Sequence, residues 1–116
     1  MATNVNVQRA GTVDNTDVLA GTDLENLPGP GVLSIYGVST AVDTALTVTP
    51  PGEQSSARAF TLTTKAAATV NANDDQPLAI IAINTSGRVI VFVDITAAAT
   101  WAMLFVYTPA EDFAGV

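Results

Sequence analysis

The chain reads as all-β: a small antiparallel β-sandwich or barrel, jelly-roll-like, led by an extended N-terminal arm. Two observations predict this. Short runs of β-branched and aromatic residues recur from Val32 onward, and proline- and glycine-rich stops or polar loops separate them at close intervals. With 116 residues there is room for one sizeable core and not for two. The expected organisation is an arm over 1–31, a β-sandwich domain over 32–109 and a tail over 110–116.

The elements follow in chain order. Val5 and Val7 alternate with polar residues and can add an edge strand, but no helical or strand period survives from Gly11 to Gly31. Pro28 and Pro30 hold that stretch extended, because each also biases its predecessor toward β or polyproline geometry. Val32–Thr40 is a strand, with Gly37 a bulge or close-approach point. Thr44–Thr49 follows, with Leu46 and Val48 on one face, and Pro50-Pro51-Gly52 ends it. Ala57–Lys65 alternates, Phe60 and Leu62 inward against Thr61, Thr63 and Lys65. Residues 66–77 begin with alanines, room for a single helical turn, and become a polar loop.

Three strong segments close the chain: Leu78–Asn84, Arg88–Thr96 and Thr100–Thr108. Between the first two, Gly87 suits a positive φ in a hairpin loop. The alanine run at 97–99 also permits a helix through Leu104, but Phe105, Val106, Tyr107 and Thr108 continue it with β-formers, which favours strand. These segments lack the polar alternation of a half-wet sheet. Val89, Val91, Val93 and Ile95 form one apolar row with Ile90 and Phe92 behind it. Trp101, Met103, Phe105 and Tyr107 likewise back onto Ala102, Leu104 and Val106. The second face needs a cover, either the arm of the same chain or another subunit. An extra 600 Å² or so of apolar cover is worth about 15 kcal/mol gross, at ~25 cal/mol per Å². An obligate homo-oligomer is therefore expected, a homotrimer or a dimer. The expected interface comprises arm anchors Val13, Val18, Leu19, Leu24 and Leu27 with strand residues Ile90, Phe92, Trp101, Met103, Phe105 and Tyr107.

Composition narrows the function. Charged residues make up 13%, and the net charge of −7 reflects only four Lys and Arg. Arg9, Arg58, Lys65 and Arg88 are too scattered for phosphate contacts, which disfavours nucleic acid, and a basic membrane-surface helix is excluded on the same ground. The sequence has no Cys and no His, which removes thiolate chemistry, the commonest neutral-pH general base and the commonest transition-metal ligand. No secretory leader and no membrane-length apolar run is read, so synthesis in a cytoplasm is expected.

The remaining candidate chemistry is thin. Asn71, Asn73, Asp74 and Asp75 resemble an oxygen-rich cation loop without EF-hand spacing. Glu111 and Asp112 lie in a tail that implies no pocket. Asp94, inside an apolar strand, fits strand-end exposure or an inter-subunit pair better than a catalytic base. Asn84-Thr85-Ser86 matches a glycosylation acceptor by chance. Tyr36, Trp101 and Tyr107 could line a sugar platform, although core or interface burial suits them better. The expectation is no enzyme, no cofactor and no metal.

A short, acidic, Ala/Thr/Val-rich, Cys-free and His-free β domain, with the arm 1–31 ending in Pro28-Gly29-Pro30-Gly31 and the apolar meander 78–108, resembles the small decoration (cement) proteins of tailed-bacteriophage capsids. The resemblance is one of pattern and composition across the whole chain. It implies a structural virion protein on the capsid surface, a homotrimer gripping the major capsid protein, with no catalysis. The other readings are a carbohydrate-binding or adhesin-type sandwich using Trp101 and the loop 66–77, a hydrolase-like jelly roll, and a tail or fibre subunit.

Overall fold

The computed structural model describes residues 5–42, 44–51, 57–67, 70, 76–95 and 98–109. Its strands are β1 Val5–Gly11, β2 Asn26–Leu27, β3 Gly31–Ser39, β4 Ala45–Thr49, β5 Arg58–Thr61, β6 Thr63–Thr64, β7 Ala79–Ile83, β8 Gly87–Arg88, β9 Ile90–Asp94 and β10 Trp101–Pro109. The larger sheet runs β1-β10-β3, and β3 is then continued by β7 along Gly31–Ile35 and by β6 at Val38 and Ser39. The smaller sheet is β5-β4-β9, and β2 pairs with β8 as a short ribbon. Every pairing is antiparallel except the two-residue β3–β6 contact. The fold is the expected all-β sandwich.

Alternation explains the layering. Residues opposite one another across antiparallel strands share a face, so Trp101, Met103, Phe105 and Tyr107 stand beside Ser39, Gly37, Ile35 and Leu33. Ile81 and Ile83 of β7 complete that inner row. Across from them the smaller sheet presents Leu46, Val48, Val91 and Val93, and all these large apolar residues belong to one buried cluster. Gly37 is a close-approach point: a β-carbon there would overlap Leu62 and press on Leu78. The expected hairpin between Leu78–Asn84 and Arg88–Thr96 is not formed: β7 pairs with β3 in the larger sheet, β8 with β2 and β9 with β4, and Gly87, at φ 143°, opens β8 after the connection between them. The alanine-led stretch before Trp101 does not carry a helix into it, because β10 pairs with β3 along its length and with β1 from Trp101 to Tyr107.

Ala57–Lys65 is not one strand. Its first part, β5, pairs with β4 of the smaller sheet, whereas β6 lies beside β3 of the larger one. The crossing is at Leu62, whose N–H donates to the Thr44 carbonyl at 3.0 Å. Alternation persists through such a switch, which is why the sequence does not betray it.

The leading segment corrects the expectation of an arm reaching for a neighbour. β1 pairs residue for residue with β10, from Val5 opposite Tyr107 to Gly11 opposite Trp101. The chain then crosses to the other sheet and runs along the free edge of β9. Asn15 and Val93 exchange both backbone hydrogen bonds, and Val18 N–H donates to the Val91 carbonyl at 2.8 Å. Further on, Val89 N–H reaches the Glu25 carbonyl and Asn26 pairs with Arg88. One segment thus laces an edge of each sheet. Val18, Leu19, Leu24 and Leu27, at 0–2% exposure, are core residues of their own chain. Their burial is worth roughly 1.5–3 kcal/mol each before ordering costs.

Candidate interaction surface

The eleven residues expected at an interface divide sharply. Trp101, Met103, Phe105 and Tyr107 face the core with Val18, Leu19, Leu24 and Leu27, so these eight present no surface to a partner. The reason is that the leading segment and the smaller sheet already cover them. Trp101 Nε1 donates to the Val13 carbonyl at 2.9 Å, and Tyr107 Oη donates to the Gly29 carbonyl at 2.5 Å. Both aromatic tips are therefore spent on tying down the leading segment. The sugar platform accordingly loses two of its three rings, and only half-buried Tyr36 remains toward the outside. Of the rest, Val13 and Ile90 are exposed and Phe92 is half-buried.

Ile90 and Phe92 lie on the outer face of the smaller sheet beside Thr49 and Thr47. Asp94 continues that row, half-buried at the strand end opposite Ala45. Arg88 serves elsewhere. It forms an ion pair with Asp17 and stands 3.7 Å from Glu25, pinning the leading segment to β8. The hydrogen bond that Arg88 donates to Asp17, then the charge of Asp17, raises the guanidinium pKa above its ordinary value, so the contact survives any alkaline pH at which an ordinary arginine stays protonated. Asn71, Asn73, Asp74, Asp75, Glu111 and Asp112 lie outside the described residues. Among the described residues no three carboxylates gather as a metal site.

What periodicity alone did not reveal is the outer face of the larger sheet. The register places Asn6, Gln8 and Ala10 beside Val106, Leu104 and Ala102. Those in turn lie beside Ser34, Tyr36 and Val38, and β7 adds Ile80 and Ala82. No residue in this array is charged, although the chain has a net charge of −7. Its middle is shielded, with Leu104 at 6% and Val38 at 1% exposure, while Ile80 stands out at 65%. The two-sided apolar signal of the last strand was readable in the sequence, but the strand order that joins it to β1 and β7 was not. No protein-family model matches the sequence, and no curated protein or solved structure matches it either.

Proposed function

We propose that this chain is a structural virion subunit, a capsid decoration protein that binds the major capsid lattice as a homo-oligomer, with a trimer the expected form. The observation that supports the reading is the uncharged outer face of the larger sheet. Around its shielded middle, the exposed positions of that face, Asn6, Gln8, Ala10, Ile80 and Ala82, carry no charge, whereas water-facing sheets in soluble domains ordinarily do and interface centres are depleted of it. A protein that binds only the assembled lattice stabilises it by mass action, and a symmetric ring multiplies weak contacts. The absence of His and Cys from the sequence accords with a structural rather than a catalytic role.

The demand for a partner is smaller than composition alone suggests, because the leading segment covers much of the apolar surface that motivated it. What is left for other copies is the sheet face around Ile80. Native mass spectrometry at micromolar concentration should give a homo-oligomer. Ile80→Asp, at a site the fold leaves exposed, should keep the fold and raise the monomer fraction at least tenfold. A wild-type protein that stays monomeric under those conditions would refute the assembly half of the proposal.

A further inference from the structure

β1 ends the larger sheet. It pairs with β10 from Val5 opposite Tyr107 to Gly11 opposite Trp101, and among the described residues nothing pairs with its other edge. At seven residues it is the longest strand at the end of either sheet, against four in β5, two in β6, five in β7 and five in β9. The β9 edge of the smaller sheet is taken by Asn15 and Val18 of the leading stretch. The fold thus closes that edge and leaves this one open. An open edge is a template for another strand, and proteins that keep one solitary shorten it, bulge it or place proline or charge on it. β1 has no proline, its register with β10 is unbroken, and its one charge is Arg9.

We infer that this edge is where two copies of the chain meet, β1 against β1 in antiparallel pairing about a two-fold axis. Self-complementarity and charge select a second copy as the occupant. In the register that pairs the whole strand, Gln8 stands opposite Gln8, Val7 opposite Arg9, Asn6 opposite Ala10 and Val5 opposite Gly11. No like charges oppose one another there, and the apolar stem of Arg9 lies along Val7. A slip that centres the pairing on Arg9 would set the two guanidinium groups against each other, which disfavours it. Neither β1 nor β10 carries an acid. Two chains of net charge −7 therefore meet on a stretch free of the carboxylates that repel them elsewhere. Val5 and Val7, only half-buried against the core, gain cover from the added strand.

The inference goes beyond the decoration reading and does not rest on it. Ile80 is on β7, separated from β1 by β10 and β3, so the edge and the face around Ile80 are distinct surfaces. A pairing of one strand from each copy, with no large aromatic side chain on it, makes a small interface. It therefore acts at high protein concentration and adds to whatever contact holds at micromolar concentration.

The sequence has no Cys, so Gln8→Cys places a lone thiol on the two-fold axis. It is made in the full chain alone and again together with Ile80→Asp, which removes the face contact. Oxidation at high protein concentration should convert most of either protein to a covalent dimer, whereas Thr61→Cys, at an exposed position of β5, should stay largely monomeric. Charge variants read the same register without a covalent bond. In the Ile80→Asp background, Gln8→Glu and Gln8→Lys should each keep the urea midpoint and weaken self-association at least tenfold in sedimentation velocity. An equimolar mixture of the two should restore it, because Glu then stands opposite Lys. A Gln8→Cys dimer yield no higher than that of Thr61→Cys, or a mixture no tighter than its separate components, would overturn the inference. So would cross-linking that disappears with Ile80→Asp, since the face and not the edge would then bring the thiols together. A wild-type chain monomeric at micromolar concentration would refute only the assembly half of the decoration reading, because the double variant tests the edge without the face.

Discussion

The last strand, Trp101–Pro109, and the leading stretch from Thr12 to Leu27 reach the same depth by opposite routes. β10 turns Trp101, Met103, Phe105 and Tyr107 into the core by alternation, and it pairs with β3 along its length and with β1 from Trp101 to Tyr107. The leading stretch has no period at all, yet Val18, Leu19, Leu24 and Leu27 are just as inaccessible. Its shape comes from local capping: Asn15 Oδ1 accepts from the Asp17 N–H, and Thr22 Oγ1 donates to the Leu19 carbonyl while accepting from the Leu24 N–H. Polar side chains bend the backbone so that apolar ones, irregularly spaced, arrive together. Periodicity is a sufficient sign of burial and not a necessary one.

The comparison breaks most decisively by amputation. Removing residues 1–27 deletes β1 and four buried apolar side chains and opens an edge on each sheet. The truncated chain should lose its cooperative urea transition, followed by Trp101 fluorescence. A transition retained at the wild-type midpoint would show that the leading segment is a passenger. Matched core truncations sharpen the point. Phe105→Ala should cost about 3–5 kcal/mol and Leu19→Ala about 2–5 kcal/mol in denaturant unfolding. A Leu19→Ala cost below about 1 kcal/mol, the scale of a surface change, would separate the two regions after all. Smallest is the seam between them. Trp101→Phe keeps an aromatic ring and removes the donor to the Val13 carbonyl, with an expected loss of about 1–3 kcal/mol. An unchanged midpoint would mean that water takes over that carbonyl without cost.

The same contrast explains what was legible. Strands β3, β4, β9 and β10 fall within a residue or two of expectation, because side-chain alternation is a local property of the chain. The switch at Leu62 and the burial of Leu19 are set by partners far away in sequence, Thr44 for the first and β9 for the second. Val13, Val18, Leu19, Leu24 and Leu27 were recognisable as anchors. Their spacing says that a groove awaits them and is silent on whose groove it is. The structure puts four in their own chain and leaves Val13 outside.

The pairing of β1 with β10 has a consequence for how this molecule is made. Among the described residues β1 has β10 as its only neighbour in the sheet, with the other strands between them in sequence. At about 5–20 residues per second, Val5 must wait several seconds for Tyr107 to emerge. Until then the nascent chain holds an unclosed sandwich with its tryptophan yet to be synthesised. Closure of the larger sheet is thus tied to synthesis of β10, and a product stopped short of it leaves β1 without the strand it pairs with.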